Sequence, residues 1–121
     1  MRKTLTRSER LSRQSDLKTI FASGTRLSTS GAKIVYLNNN LSYSRFAITI
    51  VRKYGNAVER NRIKRFFREL YRLNKDKIYT GKDIILVLYP GRYSESNRST
   101  QFFNLLKKAN LYKMAKDSTE L

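Results

Sequence analysis

Ile63, Phe66, Phe67 and Leu70 recur at i, i+3, i+4 and i+7. That spacing lets these side chains share one buried surface only as the stripe of an α-helix packed on a core. At roughly 100° per residue, Asn61, Lys64, Arg65, Arg68 and Arg72 fall on the far side, with Arg60 and Arg62 flanking them. One face packs and the other carries positive charge. The start is also written locally, because Asn56 can accept an N–H of the first turn while Glu59 reaches back, the pattern of a capping box. The helix is expected from near Ala57 to about Leu73, where Asn74, Lys75 and Asp76 lose the stripe.

The segments around this helix set the fold class. Residues 83–89 contain the apolar run Ile84-Ile85-Leu86-Val87-Leu88, which suits a strand covered on both faces, and Pro90-Gly91 stops it. Residues 43–51 alternate Phe46, Ile48 and Ile50 with the smaller Ala47, Thr49 and Val51, predicting one face on the helices and a shallower, more open one. Residues 33–37 read as a strand, and the three asparagines at 38–40 suggest a hairpin joining it antiparallel to 43–51. A first helix is expected from near Ser12 as N-cap, with Leu17, Ile20 and Phe21 on one face. It ends at Ser23-Gly24, where Gly24 fits a positive-φ cap, and a Ser/Thr/Gly loop follows. A last helix at about 95–110 places Phe102, Leu105, Leu106 and Ala109 at core spacing, and the tail from Lys113 is polar.

The order helix, strand, strand, helix, strand, helix gives an α+β fold: a two-layer α/β sandwich, a small mixed sheet with three helices. One domain covers 1–121, with an ordered core at about 11–111. If 43–51 and 83–89 pair in parallel, they form a βαβ crossover with the basic helix, and such crossovers are right-handed in roughly 98% of cases.

Charge narrows the partner. The chain carries 26 Lys+Arg against 9 Asp+Glu, a formal net charge of +17. Self-repulsion at that charge weakens a compact state unless a polyanion neutralises it in use, so RNA is the expected partner. A membrane is not, because no segment approaches the ~20 apolar residues of a span, and Met1-Arg2-Lys3-Thr4-Leu5 has no apolar stretch behind its basic flank. A soluble cytoplasmic protein is the expectation. The chain contains no His and no Cys, which removes imidazole catalysis, thiolate nucleophiles, disulfides and the commonest metal ligands. Phosphodiester cleavage by a protein-held metal needs converging carboxylates, whereas the acidic residues here are scattered through caps, loops and tail. No free-standing active site is expected.

Arg52-Lys53-Tyr54-Gly55-Asn56-Ala57-Val58-Glu59-Arg60-Asn61-Arg62-Ile63-Lys64-Arg65 resembles the signature of the bacterial ribonuclease P protein component. Arg-Asn-Arg here follows a strand and Gly-Asn-Ala-Val, then runs into Ile-Lys-Arg on a helix. Leu17 to Phe21 followed by Gly24-Thr25, and Leu105-Leu106-Lys107-Lys108-Ala109, support a resemblance extending from about Leu11 to Leu111. It implies a small basic protein joined to a large catalytic RNA, the pair removing the 5′ leader of precursor tRNA. It further implies that the RNA holds the active site, that Mg²⁺ serves the RNA-based reaction, and that the protein alone is not catalytic. A left-handed crossover is also implied, against the general prior.

Carried over by that resemblance, Arg52, Lys53, Arg60, Asn61, Arg62, Lys64, Arg65 and Arg68 form the RNA-binding set. The chemistry suits it: guanidinium forks bind phosphate bidentately, lysine adds a mobile point charge, and Asn61 can donate and accept at a base edge or ribose hydroxyl. Arg60 and Arg62, at the margins of the exposed face, have a second, less favoured reading as partners of loop carbonyls or of Glu59 and Glu69. The resemblance also implies a cleft for the precursor's leader at Leu17, Phe21 and Val35. Family members usually carry aromatics there, and here only Phe21 is aromatic, a residue that also reads as core packing. A structural RNA-binding protein such as a ribosomal subunit would share charge, size and architecture, and the extended motif separates the two. A DNA-binding module fits less well, since the basic helix opens directly from a strand with no helix-turn-helix before it.

Overall fold

The apolar run at 84–88 becomes the middle of the sheet. In the computed structural model, which describes residues 6–113, it lies within β4 (Lys82–Leu88), buried at every position after Lys82. On one side β4 pairs antiparallel with β2 (Ala32–Asn38), and on the other it pairs parallel with β3 (Arg45–Ile50), so that Leu86 faces both Ile34 and Ile48. β1 (Thr25–Thr29) completes the order β1-β2-β4-β3.

Two expectations are corrected by this topology. Residues 33–37 and 43–51 do not form a hairpin, because β4 lies between them. A strand apolar on both faces is best placed centrally, where both backbone edges find partners. The hairpin present is β1–β2, with Thr29 opposite Ala32 and Gly31 at φ 77° in its two-residue turn. β1 occupies the stretch expected as a loop; its Ser and Thr side chains are mostly exposed, which hides the apolar alternation that marks a strand.

The helices divide between the two faces. α2 (Ala57–Asn74) and α3 (Glu95–Lys108) cover one face, burying Ile63, Phe67, Tyr71, Phe102, Leu105 and Leu106 against Ile34, Phe46, Ile84 and Leu86. Phe46 stacks on Tyr71 with centroids 4.4 Å apart, and Phe67 meets Phe102 edge-on at 5.5 Å. The stripe on α2 therefore centres on 63, 67 and 71, while Phe66 and Leu70 are only half-buried on its flank. The capping box is present: Glu59 N–H donates to Asn56 Oδ1 at 2.9 Å, and Asn56 N–H donates to Glu59 Oε1 at 3.1 Å.

α1 (Gln14–Ser23) covers the opposite face, where Ile20 packs with Leu11, Val35, Ile85 and Val87. It ends at Ser23-Gly24 as expected, but the caps at its two ends differ from expectation. Its N-cap is Arg13 rather than Ser12, and no side chain caps it. Gly24 is extended (φ −76°, ψ 163°), so positive φ is not why glycine stands there. A Cβ on Gly24 would lie 2.6 Å from the Ile20 carbonyl oxygen and 2.8 Å from Val35 Cγ1, so the close turn from α1 into β1 requires its absence. Arg26 donates instead to the Phe21 carbonyl at the helix end.

Ahead of α1, a short 3₁₀ turn at Arg7–Glu9 leads onto the open edge of β3. There Arg10 bridges Phe46, and Leu11 N–H donates to the Phe46 carbonyl at 2.9 Å. Lys75 Nζ donates to both Glu9 carboxylate oxygens at 2.9 and 3.0 Å, tying this segment to the far end of α2.

Candidate nucleic-acid interface

On α2, Asn61, Arg62, Arg65 and Arg68 are exposed and Lys64 is half-buried. Arg60 is turned inward. Its guanidinium donates to the carbonyls of Ile50 (3.1 Å) and Val51 (2.7 Å), with a longer contact to Arg52 O at 3.4 Å. Hydrogen bonds from a charged donor are worth about 1.5–3 kcal/mol each, so Arg60 fastens the corner between β3 and α2. That corner presents Arg52 and Lys53, both exposed, from the 3₁₀ turn Arg52–Tyr54. Arg62 lies 3.7 Å from Glu95 in a pair open to solvent, which leaves it exchangeable for a phosphate. Arg72 differs: its bond to Glu69 holds that carboxyl below the usual range and raises its own guanidinium.

The three residues expected in the cleft are not equivalent. Val35 is 0% exposed beneath α1 and offers no surface to a ligand, which corrects its place in the cleft. Leu17 and Phe21 are half-buried on the same cluster. A recess of about 330 Å³ opens between α1 and the small-residue face of β3, lined by Leu17, Ala47, Thr49, Arg7, Arg10 and Arg68. The geometry brings Leu17 together with Arg68, which reaches the recess from α2, and does not bring Phe21 or Val35 into it. Arg7 and Arg10 were not anticipated. Their basic spacing before the first helix is visible in the sequence, but only the docking of this segment on β3 brings them to the recess. A more polar recess continues past Arg7, Arg10 and Ser12 to Arg13, Asp16 and Arg45.

The acidic side chains have other work. Asp83 accepts from Arg45 Nε and Nη2 at 2.8 and 2.6 Å and from Asn39 Nδ2 at 2.8 Å. The Asp83 bond raises the Arg45 guanidinium above its ordinary range. Among the described residues no group of three or more Asp, Glu, His or Cys side chains is placed to hold a metal ion. Among the same residues no helix is long and apolar enough to cross a membrane.

An exposed basic helix, entered from β3 through a 3₁₀ turn and Gly-Asn-Ala-Val, thus stands beside a recess edged by Arg7, Arg10 and Arg68. A sequence profile described as Ribonuclease P matches residues 5–110. The chain belongs to the ribonuclease P protein family. The ribonuclease P protein component of Syntrophus aciditrophicus is 42% identical over 84 residues, 69% of this chain and 71% of the relative. That of Thermotoga sp. strain RQ2 is 37% identical over 108 residues, 89% of this chain and 92% of the relative. The solved Staphylococcus aureus RNase P protein superposes with TM-score 0.80 at 27% identity, covering 87% of this chain and 98% of that one. The Thermotoga maritima RNase P protein gives 0.73 at 33% identity, covering 83% and 96%. As a ribonuclease P protein component, the chain is part of a tRNA-processing ribonuclease.

Proposed function

We propose that this chain grips the catalytic RNA of ribonuclease P through α2 and the corner before it, and guides the 5′ leader of precursor tRNA along the recess beneath α1. The RNA performs the cleavage, in the cytoplasm. The observation that carries this reading is Arg68, exposed on α2 and also lining the recess of Leu17, Ala47 and Thr49. One cationic surface, with the neutral Asn61 among its charges, thus continues from Arg52, Lys53, Arg62, Lys64 and Arg65 to a groove of the kind that single-stranded RNA follows. Arg60 serves from behind by holding the corner.

Magnesium belongs with the RNA in this reading. Among the described residues Asp83 is bonded to Arg45 and Asn39, Glu9 to Lys75 and Glu69 to Arg72, Glu59 caps α2, and no three acidic side chains converge as a Mg²⁺ site would ask. The protein's part is electrostatic and steric, to bind and orient two RNA chains.

The test combines protein, ribonuclease P RNA and precursor tRNA with leaders of increasing length. RNA-free protein should leave precursor intact, and cleavage at the mature 5′ end should appear with the RNA. Protein should favour precursor over mature tRNA more strongly as the leader lengthens. Affinity for the RNA should fall steeply with salt as condensed counterions are released, and Arg65→Ala with Arg68→Ala should flatten that slope while the fold stays intact. Site-specific cleavage by RNA-free protein, or affinity insensitive to salt, would overturn this assignment of roles.

A further inference from the structure

α3 buries a charge. Arg98 is 1% exposed, and its guanidinium donates to the Gly31 carbonyl (2.8 Å), the Tyr89 carbonyl (2.5 Å) and Gln101 Oε1 (3.1 Å), while Nε has no partner. No carboxylate among the described residues pairs with it. A buried charge without a counter-ion needs another source of compensation, and here two rings supply it. Arg98 Cζ lies 4.4 Å from the Tyr93 centroid and 5.4 Å from that of Tyr54.

Tyr93 is held from other sides as well. A Cβ on Gly31 would lie 2.5 Å from Tyr93 Cε2, and one on Gly91 would lie 2.3 Å from the same atom. Two glycines leave room for the ring and a guanidinium fixes it, yet Tyr93 and Tyr54 both stay only half-buried. Their rings line a recess of about 340 Å³ with Glu59, Arg62, Gly91 and Glu95. The cap on α2 uses Glu59 Oε1, leaving Oε2 for an incoming donor.

We propose that this recess takes an unpaired nucleobase of an RNA chain, stacked on Tyr54 and Tyr93 and read at its edge by Glu59 and Glu95. The inference rests on the RNA-binding reading above. Pre-set aromatic surfaces with acceptor-only carboxylates suit a flat π system that carries N–H donors on its edge. Arg62 beside them, with Arg52 and Lys53 just before Tyr54, suits the phosphates attached to such a base and disfavours a free cation. Guanine, with two adjacent N–H donors, fits a carboxylate best. Uracil, with no exocyclic amine, fits worst.

Full-length protein is titrated with short labelled oligoribonucleotides, one all-uracil and one carrying a central guanine. Tyr93→Leu should weaken the guanine oligonucleotide by about fivefold to a hundredfold, the range for loss of one base stack, while Tyr93→Phe retains binding. Glu59→Gln with Glu95→Gln should abolish the preference for guanine, since glutamine keeps the helix cap but not the two-acceptor edge. If Tyr93→Leu lowers the melting midpoint, Tyr54→Leu supplies the same measurement from the ring farther from Arg98. Unchanged affinity in folded leucine variants, or equal loss in Tyr93→Leu and Tyr93→Phe, overturns the proposal.

The assembled ribonucleoprotein identifies the source of the base. Weaker assembly of the Tyr93→Leu protein with ribonuclease P RNA assigns it to that RNA, and a lost dependence on leader length assigns it to the precursor. If neither changes, the pocket is overturned and the wider reading stands. A wild-type protein that fails to stimulate precursor cleavage overturns the wider reading instead, while the oligonucleotide titration still decides the pocket.

Discussion

The two faces of the sheet are built from alternate residues of the same strands and differ in almost everything else. β4 sends Ile84, Leu86 and Leu88 into a core with Phe46, Phe67, Tyr71 and Phe102, and sends Ile85 and Val87 into an aliphatic cluster with Leu11, Ile20 and Val35. The first face is closed by two helices and interlocking rings. On the second, Leu17, Phe21, Leu37, Ala47 and Val51 remain only partly buried around a single helix. Stability is concentrated on one side, leaving the other free to keep a shallow recess edged with arginine.

The strongest test of this asymmetry is Phe67→Ala. A fully buried aromatic replaced by alanine costs about 3–5 kcal/mol, read as a shift in the urea-unfolding midpoint. Phe66→Ala should lose less, since Phe66 lies on the flank of the stripe. The reverse ranking would mean that α2 is rotated from the position described.

Asp83 tests the seam between β3 and β4 on the open side. Its carboxylate is 6% exposed and anchors Arg45, which is 22% exposed and keeps only Asp16, at 3.4 Å, if Asp83 is removed. Breaking a buried pair costs about 3–5 kcal/mol when the remaining charge is stranded. Asp83→Ala should sit at or just below the low end of that range, because Asp16 and solvent both screen Arg45. A loss comparable to that of a surface ion pair would show that the strands hold the seam without it.

Much of the closed face was legible in the sequence. The Asn56–Glu59 box, the apolar period of α2 and the apolar run in β4 are local patterns, and local physics fixes them. Strand order is not local: β2 and β3 look like hairpin partners until β4, apolar on both faces, takes the place between them. Phe66 and Phe67 both fit the helical period, and only the stacking of Tyr71 on Phe46 decides that the stripe centres on Phe67. The open face was read less well, because its residues are placed by contacts distant in sequence. Val35 is sealed under α1, Arg60 is taken by the carbonyls at 50–52, and Arg7 and Arg10 reach the recess through pairing with β3. Arg98 gave no warning, since a charged residue on a helix is ordinarily solvated.

Phe21 measures how far the open face serves binding. It is half-buried and lies outside the recess lining, so Phe21→Ala should alter both packing and leader binding weakly. Its effect on leader-dependent affinity should stay below the ~1 kcal/mol lower end for loss of a base stack, measured with long- and short-leader precursors. A loss several times larger, with an unchanged melting midpoint, would move Phe21 from the wall of the small cluster into direct contact with RNA.

The smallest effect expected concerns the segment that links the two faces. Leu11 belongs to the aliphatic cluster, while Glu9, two residues earlier, is tied to Lys75 beyond α2. Burial alone would raise the Glu9 carboxyl, but the Thr6 amide and Lys75 together hold it below its ordinary value of 4.5. A carboxyl lowered in the folded state contributes stability that is complete above its unfolded value and is lost as pH falls through the lower, folded one. Glu9→Gln should therefore be less stable than wild type at neutral pH by no more than about 1 kcal/mol. The gap should close on acidification below 4.5, as wild-type Glu9 takes up its proton. Denaturant midpoints for both proteins across that range check it. A gap that persisted in acid would show that the carboxyl acts through shape and neutral hydrogen bonds, and that charge does not fasten the wall of the recess.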